Sequence, residues 1–296
     1  MIILSVIDEK IYMAAFLKNK TLSGPLAPIA AGSANSAEEI TAGFENLLKA
    51  NKGMLFDGGN AAVFMDGRKS RFAAVKHPGI TGEAKFDEFV RWTVKQNFNI
   101  DKFEYSYADS GRGYIYLQAV EEGAASGVKK DVSRLADKVK CFDTHLFNEI
   151  NFLLRTGVID CEDFMLLKLS ADHVNAVRFF SDGYFQHHAF DFMCAPLAYD
   201  SRDDRAGYGA QELMLMHELV KKVSRWQNED KKRQAKPEKM FLLNAAGGDA
   251  PYYLRLRMTE EVSDNLCYVN EKMPRAGGGA FDYVNFNLNA MCDRWR

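Results

Sequence analysis

The stretch that decides the fold runs from Lys85 to Thr156 and begins with KFDEFVRWTVKQNF at residues 85–98. Its apolar residues recur at helical spacing and predict an amphipathic helix whose buried face carries Phe86, Phe89, Val90, Val94 and Phe98. The segments after it predict a strand, a strand, a short helix, a strand and a helix: DKFEYSYAD (101–109), GRGYIYLQAVEE (111–122), DVSRLADKVK (131–140), VKCFD (139–143) and THLFNEINFLLRTG (144–157). This order is that of a small α/β subdomain set inside a longer chain.

Five short pieces of this stretch carry a resemblance to a known family. They are Val90-Arg91-Trp92, Glu104-Tyr105-Ser106-Tyr107, Gln118-Ala119-Val120, Phe142-Asp143-Thr144 and Leu153-Leu154-Arg155. In this order they resemble the inserted subdomain of the PilM-type cytoplasmic proteins of type IV pilus and type II secretion machines. An unrelated α/β domain with a coincident pattern is the alternative interpretation.

Composition and charge limit the classes of protein that the chain can belong to. The 296 residues are 47% hydrophobic and 26% charged, as in a globular protein, and the formal net charge of −2 gives no reason to expect a nucleic-acid partner. No apolar run approaches the roughly 20 residues of a membrane span, and MIILSVIDEK at the N-terminus lacks the basic region of a secretory signal. The five cysteines are scattered without a CxxC pair, which favours a reducing compartment. We therefore expect a cytoplasmic protein.

Strand and helix patterns outside the opening stretch occur twice along the chain. Short apolar runs predict a β-hairpin near the N-terminus and a three-strand meander that mirrors it, at residues 2–8, 11–17, 164–170, 173–181 and 184–190. Two further strands are predicted at Ala61–Met65 and Arg71–Lys76, and a further helix from Ala37 to Gly53. Periodic apolar residues predict helices late in the chain, from Ala210, Pro251 and Asp282.

This duplication predicts two α/β halves, residues 1–160 and 161–296, with the small subdomain at about 80–156 inserted in the first. The resemblance to PilM-type proteins implies the actin-like fold of actin and sugar kinases, in which two ribonuclease-H-like halves face each other across a nucleotide cleft. Two unrelated α/β domains would give a similar pattern, and the resemblance favours the actin-like fold.

The first phosphate-binding turn of that fold is altered here. In the family each half opens with an Asp-x-Gly turn, whose backbone N–H groups hold phosphate and whose glycine lets the main chain come close. Asp8 stands at the first turn, but Lys10 takes the place of the glycine. A shifted register with Ser5 at the aspartate position puts Ile7 at the glycine position.

The second phosphate turn is altered in the same way, whereas the adenosine turn is kept. Asp172 stands at the second turn, and Val174 takes the place of the glycine. Gly247 and Gly248 follow a predicted strand and resemble the turn that cradles the adenosine, although such a turn is also common for purely structural reasons. The resemblance thus implies a degenerate site for ATP and Mg²⁺ at Asp8, Asp172, Gly247 and Gly248.

Other catalytic and metal-binding signals are weak. The sequence has no GxxxxGK[ST], HExxH or GxSxG motif. His187 and His188 are neighbours on a predicted strand, so they point to opposite faces and cannot form a paired metal site. His145 lies beside Asp143 at a predicted helix start, where it is expected to pair with that aspartate or to take part in capping.

The resemblance implies a scaffold rather than an enzyme. Its partner would be the cytoplasmic N-terminal tail of a bitopic inner-membrane protein, held in a groove beside the inserted subdomain, with the assembly ATPase as a further partner and self-association as an open question. The alternatives are an ATP-dependent kinase or ATPase of the same fold, and a filament-forming protein.

Four residues of the subdomain are candidates for contact with the partner tail: Arg91, Trp92, Tyr105 and Tyr107. Tyrosines on strands more often serve sheet packing than binding, so both interpretations stay open. The substitution Trp92→Ala separates the cases for the tryptophan, because a buried ring would contribute about 3–5 kcal/mol to stability and a surface ring under about 1 kcal/mol.

Overall fold

The described part of the chain contains three β-sheets. A computed structural model describes residues 2–7, 10–15, 31–34, 60–65, 70–80, 82–98, 103–121, 138–192, 209–229, 236–246, 252–273 and 281–293.

The first sheet contains the N-terminal strands. Its members are β1 (Ile2–Ile7), β2 (Lys10–Ala15), β3 (Ala31–Ala34), β4 (Asn60–Met65) and β8 (Lys138–Thr144). Their spatial order is β3-β2-β1-β4-β8. β2 pairs antiparallel with β1 and β3, whereas β4 pairs parallel with β1 and β8. The predicted N-terminal hairpin is confirmed.

The second sheet repeats this arrangement. Its members are β9 (Phe164–Leu169), β10 (His173–Phe179), β11 (Phe185–Asp191), β12 (Lys239–Asn244) and β13 (Leu266–Tyr268). Their order is β11-β10-β9-β12-β13, with an antiparallel meander on one side of β9 and parallel strands on the other. The predicted meander is therefore confirmed, whereas β13 is too short to leave a periodic signal.

Helices separate the two sheets and cover the second one. In chain order the described helices are α1 (Glu83–Phe98), α2 (His145–Arg155), α3 (Ala210–Gln227), α4 (Tyr252–Glu261), α5 (Val269–Lys272) and α6 (Tyr283–Asp293). α2 and α6 share one hydrophobic core with both sheets, which includes Ile3, Phe64, Leu153, Leu166 and Met291. α3 and α4 pack on the opposite face of the second sheet.

The sequence of β9, FMLLKL, explains why that strand lies at the centre of the second sheet. All six of its residues are buried, because core lies on both faces of the sheet. Alternate residues face opposite sides, so Met165 and Leu167 pack towards α3 and α4, while Phe164 and Leu166 pack towards α2 and α6. Lys168 shares the face of Phe164 and Leu166 and is buried there as a charged residue.

The third sheet is small and antiparallel. It consists of β5 (Ser70–Lys76), β6 (Phe103–Asp109) and β7 (Tyr114–Glu121) in the order β5-β7-β6. α1 covers one face through a core of Val90, Val94, Ile115, Leu117 and Ala119. The predicted amphipathic helix and both predicted strands after it are confirmed.

The limits of the third sheet differ from the predicted subdomain at about 80–156. The strand at Ser70–Lys76 belongs to the third sheet, whereas Lys138–Thr144 pairs with β4 of the first sheet and leads α2 into the shared core. Local periodicity shows that a strand forms but does not choose its pairing partner, which explains the difference. The division into halves at residue 160 stays a prediction.

Two helix predictions fall largely on residues that the structure does not describe. The helix expected from Ala37 to Gly53 lies outside the described residues. Of the helix expected at 131–140, only Lys138 to Lys140 is described, and those residues are strand, whereas the overlapping strand predicted at 139–143 is confirmed. They are held by parallel pairing with β4, a distant contact that overrides the local helical spacing.

Candidate functional site

A groove of about 870 Å³ lies between the third sheet, α2 and the second sheet. Its first wall is the face of the third sheet that points away from α1, where Ser106 and Tyr116 lie. α2 contributes Phe147 and Leu154, and the second sheet contributes Phe164. The groove therefore forms where the third sheet, α2 and the second sheet meet.

Aromatic rings make the floor of the groove apolar and firm. The ring of Phe147 lies 5.1 Å from that of Phe185 and 6.3 Å from that of Phe179. Phe179 stacks on Phe164 at 4.9 Å, and Tyr116 meets Phe185 edge to face at 5.0 Å. Such ring pairs have preferred geometries, so the floor keeps its shape and offers apolar surface to an incoming side chain.

The charges that line the groove are balanced. Two are basic and two acidic: Arg112, Arg155, Asp143 and Glu162. The Arg112 guanidinium binds the Glu162 carboxylate through two hydrogen bonds of 2.6 and 3.1 Å, which lowers the pKa of Glu162. The surface of the groove therefore favours neither an acidic nor a basic ligand.

Cys161 also lines the groove, but its thiol is not activated. Burial raises its pKa to about 11, and the nearby carboxylates of Glu238 and Asp160 act in the same direction. A thiol with a raised pKa stays protonated at neutral pH and is a poor nucleophile. The groove is therefore suited to binding and not to covalent chemistry at this cysteine.

A set of contacts that we call the hairpin clasp bounds the groove on one side. The turn between β6 and β7 meets the turn between β10 and β11. Arg112 Nη1 donates to Ser181 O at 2.8 Å, and the Tyr116 hydroxyl donates to Gly183 O at 2.6 Å. The ion pair between Arg112 and Glu162 is the third contact of the clasp. Gly183 has φ +87°, and a Cβ there would lie 2.8 Å from Arg112 Cβ, so only glycine fits this approach.

Within the described part of the chain, the edge of the third sheet beside the groove is open. β6 is the terminal strand of its sheet and pairs only with β7 among the described strands. Ser110 N donates to Tyr114 O, which makes these two residues a hydrogen-bonded pair of the antiparallel ladder. Because such pairs alternate with non-bonded pairs, the backbone groups of Tyr107 and Asp109 point outward from β7.

Only one of the four candidate partner residues lies in the groove. Tyr107 lines it, and its ring also contacts Phe86 of α1 at 5.3 Å. The Tyr105 hydroxyl instead donates to Asp87 Oδ1 at 2.6 Å, on the face covered by α1, and Arg91 hydrogen-bonds to the same tyrosine. Tyr105 and Tyr107 are two residues apart and share the face of β6 that α1 covers, whereas the groove lies against the opposite face, where Ser106 lies.

Trp92 lies outside the groove on the surface of α1. Its side chain is 60% exposed, so it belongs to the surface case of the two that the sequence left open. A lone exposed tryptophan on a charged helix face is compatible with a separate contact.

The candidate nucleotide residues are described only in part. Asp8, Gly247 and Gly248 lie outside the described residues. The Asp172 carboxylate lies 2.7 Å from His173 Nδ1, and Ser170 N donates to His173 O to close a tight turn. The strand that leads to Gly247 ends beside this turn, because Ala245 N donates to Leu169 O at 2.7 Å. Within the described residues, no group of three or more His, Cys, Asp or Glu side chains is placed to hold a metal ion.

A second polar cluster, the buried bridge, was not predicted from the sequence. It consists of six buried residues on both sheets and both central helices: Ser5, His145, Glu149, Lys168, Tyr283 and Asn287. Lys168 Nζ lies 2.9 and 3.2 Å from the two oxygens of Glu149. The Tyr283 hydroxyl and Asn287 Nδ2 donate to Glu149 Oε1 at 2.6 and 2.7 Å.

The first-sheet end of the buried bridge is Ser5. Its hydroxyl donates to Asn287 Oδ1 at 2.5 Å and lies 2.9 Å from His145 Nε2. Since the hydroxyl proton points to Asn287, the Nε2 atom of His145 acts as the donor to Ser5. The sequence suggested that His145 pairs with Asp143 or takes part in capping, and the structure places its Nε2 atom against Ser5, a contact that was not predicted. Thr144, the N-cap residue, makes no side-chain capping bond.

The repeated strand order defines the class of protein. Two five-stranded sheets with the same order and helices between them, together with a small α/β insertion, form the actin-like fold of two ribonuclease-H-like halves. The predicted fold class is confirmed. Among the described helices, none combines the length and apolar character of a membrane span.

Comparison with known proteins agrees with this class. No family model and no curated protein matches the sequence. Among solved structures, the chain is similar to one of the PilM-PilN type IV pilus biogenesis complex, with 15% identity, a TM-score of 0.68 and coverage of 98% of this chain and 97% of that one. The predicted resemblance to PilM-type proteins is thus confirmed at the level of fold.

Two further solved structures share the fold. One is a protein of unknown function with an actin-like ATPase fold from Bacteroides thetaiotaomicron, with 7% identity, a TM-score of 0.53 and coverage of 99% and 95% of the two chains. The other is the cytoplasmic domain of EpsL, an inner-membrane component of the type II secretion system of Vibrio cholerae, with 9% identity, a TM-score of 0.51 and coverage of 99% and 94%.

Proposed function

We propose that the protein is a cytoplasmic scaffold of a type IV pilus or type II secretion assembly platform. In this proposal it binds the cytoplasmic N-terminal tail of a bitopic inner-membrane protein and is held at the membrane by that partner. The observation that carries the proposal is the groove beside the third sheet. The similarity in fold supports it, because the PilM structure is a complex with PilN and the EpsL domain belongs to an inner-membrane component.

The open edge of β6 gives an extended tail a place to bind. Backbone groups of Tyr107 and Asp109 point outward there, and an added strand would pair with them. Pairing of this kind depends on the backbone and not on side chains, so it suits a partner whose sequence varies. It also fits a groove whose lining charges cancel.

The aromatic floor supplies the apolar anchor that backbone pairing lacks. Leu154 is 41% exposed and lines the groove, as Phe147 of the same helix does. Burial of one such side chain contributes about 1.5–3 kcal/mol, which corresponds to roughly a tenfold to hundredfold gain in affinity. A tail with one or two apolar residues would therefore bind more tightly than a polar strand.

Two matched leucine substitutions test the groove. Labelled peptides from the cytoplasmic tails of the bitopic inner-membrane proteins of the pilus and secretion systems of the source organism are titrated by fluorescence anisotropy. Leu154→Asp places a charge at the groove and is expected to weaken binding at least tenfold. Leu256→Asp changes a leucine of α4 with the same exposure, 40%, away from the groove, and is expected to leave binding within twofold.

Either of two results would overturn this proposal. If no tail peptide binds the unmodified protein, the scaffold function fails as stated. If a tail binds and both variants bind it equally well, the tail uses another surface, such as the exposed Trp92 on α1.

The nucleotide site is proposed to be degenerate. At the second turn Val174, a buried strand residue, stands where the family turn has glycine, and its side chain would prevent the close approach of a phosphate to the main chain that glycine admits. Calorimetric titration with ATP and Mg²⁺ tests this, and no heat is expected. Micromolar binding would support the alternative function, an ATP-dependent kinase or ATPase.

Contact with an assembly ATPase and self-association are further parts of the proposal. Sedimentation of the purified chain, alone and mixed with the assembly ATPase of the same system, separates them. A heavier species only in the mixture would support the contact with the ATPase. A concentration-dependent shift of the chain alone would support self-association, and filaments would point to the third function considered from the sequence.

A further inference from the structure

The buried bridge connects the first sheet to the second without a break. It begins at Ser5 on β1, passes through Asn287 of α6 to Glu149 of α2, and ends at Lys168 on β9. Each link is a hydrogen bond between 2.5 and 3.2 Å. The separation along the chain is 282 residues for the first link and 19 for the last, so the bridge joins the beginning, middle and end of the chain.

Burial makes these links difficult to stretch. Glu149 and Lys168 lie inside the core, and 0% and 1% of their side chains are exposed. A hydrogen bond weakens steeply beyond about 3.5 Å, and a charge that loses its partner inside a protein has no water to replace it. A rotation of one sheet against the other would move α2 along the second sheet and separate Glu149 from Lys168. The buried contact between Glu149 and Lys168 therefore opposes a rotation of the first sheet against the second.

The buried bridge contains more hydrogen bonds than are needed to neutralise Lys168 on β9. One carboxylate would neutralise Lys168, but Glu149 also accepts hydrogen bonds from Tyr283 and Asn287 of α6. Asn287 in turn accepts from Ser5, the only polar side chain of β1 among those whose burial is described. The buried bridge therefore extends from the second sheet to the first.

We propose that the buried bridge is an interlock that holds the first and second sheets as one rigid body. A protein with this interlock keeps the α2 wall of its groove fixed relative to the second sheet, since α2 carries bridge residues on one face and groove residues on another. Opening and closing of the two halves is then not part of how it works. The interlock does not depend on the identity of the partner in the groove.

Substitutions at the two ends of the bridge test the interlock in both directions. Hydrogen–deuterium exchange is measured on the full chain. Lys168→Met, in the second sheet, is expected to raise exchange at least tenfold in β1 and α6. Ser5→Ala, in the first sheet, removes no charge and is less disruptive, and it is expected to raise exchange at least threefold in β9. The matched control is Lys239→Met. Lys239 lies on β12, the strand next to β9, and the substitution breaks its ion pair with Asp160.

The pattern of exchange decides the outcome. Effects that cross from the substituted sheet to the other sheet, with the control confined to its own sheet, support the interlock. Effects that stay within the substituted sheet for both Lys168→Met and Ser5→Ala would overturn it. If Lys168→Met does not fold, Ser5→Ala alone decides, because it leaves the buried ion pair intact.

Discussion

The buried bridge and the hairpin clasp both join the second sheet to earlier parts of the chain, and each centres on one ion pair. The clasp pair, Arg112 and Glu162, is the shorter at 2.6 Å, but 46% and 65% of its side chains are exposed. The bridge pair, Lys168 and Glu149, lies at 2.9 Å and is buried. Water screens the exposed clasp pair and not the buried bridge pair. The free energy of unfolding therefore depends more strongly on each partner of the bridge pair, although its distance is longer.

The difference also separates rigidity from adaptability. The bridge lies on the face of α2 away from the groove, whereas the clasp lies at the rim of the groove. A weak, exposed clasp can open when a tail enters, while the bridge keeps the floor in place. The following experiments test this contrast, from the largest expected effect to the smallest.

Loss of one partner of the bridge is expected to have the largest effect. Lys168→Met leaves the Glu149 carboxylate buried without a counterion and should lower the free energy of unfolding by about 3–5 kcal/mol, measured by urea denaturation. Adding Glu149→Leu should restore part of this loss, because the unpaired charge disappears while Tyr283 and Asn287 lose their acceptor. A loss under about 1 kcal/mol for the single variant would remove the contrast with the clasp.

The glycine of the clasp is expected to matter more than its ion pair. Gly183→Ala forces an L-residue to φ +87° and brings a Cβ to 2.8 Å from Arg112 Cβ, so unfolding should require about 2–4 kcal/mol less. Gly157→Ala is the matched control, since that glycine has φ +71° and nothing within 4 Å of an added Cβ. Thermal or urea unfolding of both variants gives the difference. Equal losses would show that the approach of Arg112 does not constrain the clasp.

A histidine between the third and second sheets should make stability depend on pH. His187 packs edge to face on Phe72 at 4.8 Å, and burial lowers its pKa to about 3, helped by the nearby cationic groups of His188, Arg71 and His173. The pKa in the unfolded chain is about 6.5, so unfolding takes up a proton between these values. This contribution is complete above pH 6.5 and is lost as the pH falls, at about 1.4 kcal/mol per pH unit.

The substitution His187→Phe tests this pH dependence. Urea unfolding between pH 4 and 7 should show a shallower slope of stability against pH in the variant than in the unmodified protein. Equal slopes would show that His187 is not buried in its neutral form.

The ion pair of the clasp is expected to contribute little. Arg112→Ala should lower the free energy of unfolding by under about 1 kcal/mol, and the loss should shrink in high salt because the pair is exposed. Lys168→Met serves as the comparison, since the loss for a buried pair should change little with salt. A salt-independent loss above about 2 kcal/mol at Arg112 would place the clasp in the same class as the bridge.

The smallest effect is expected outside both contacts. Trp92→Ala should change the free energy of unfolding by no more than about 0.5 kcal/mol, because the side chain is 60% exposed. Val94→Ala on the buried face of the same helix is the control and should be much more disruptive. If Trp92→Ala lowered the free energy of unfolding by several kcal/mol, the ring would have to be buried against the third sheet.

Elements with a strong local period could be predicted from the sequence. The helix predicted from AQELMLMHELVKKVSRWQ is observed as Ala210–Gln227, because its apolar residues follow the helical period without interruption. The meander of the second sheet is recognisable for the same reason, with turns at Ser170 and Gly183 between apolar runs. The opposite orientations of His187 and His188 also follow from strand geometry, and their different ring contacts, with Phe72 and Trp226, confirm them.

The bridge could be predicted only in part. Lys168 in the run FMLLKL and Glu149 in the run LFNEINFLL are charges in apolar surroundings, and such charges signal a buried partner. The partners themselves could not be identified, since Tyr283 and Asn287 lie 134 and 138 residues from Glu149. Contacts at that distance depend on how the layers pack, which no local pattern encodes. The same limit applies to the partner candidates, because the sequence places Tyr105 and Tyr107 on one face of β6 but does not show that α1 covers that face.

The open edge of β6 has a consequence for handling the protein. An unpaired strand edge accepts any extended chain, including a misfolded or neighbouring copy of the same protein, and is a site where aggregation begins. A charged side chain on an edge strand disfavours such pairing, and Asp109 supplies one at the end of β6. We therefore expect the purified chain to lose solubility on concentration, and co-expression with a strand that covers β6 to prevent the loss.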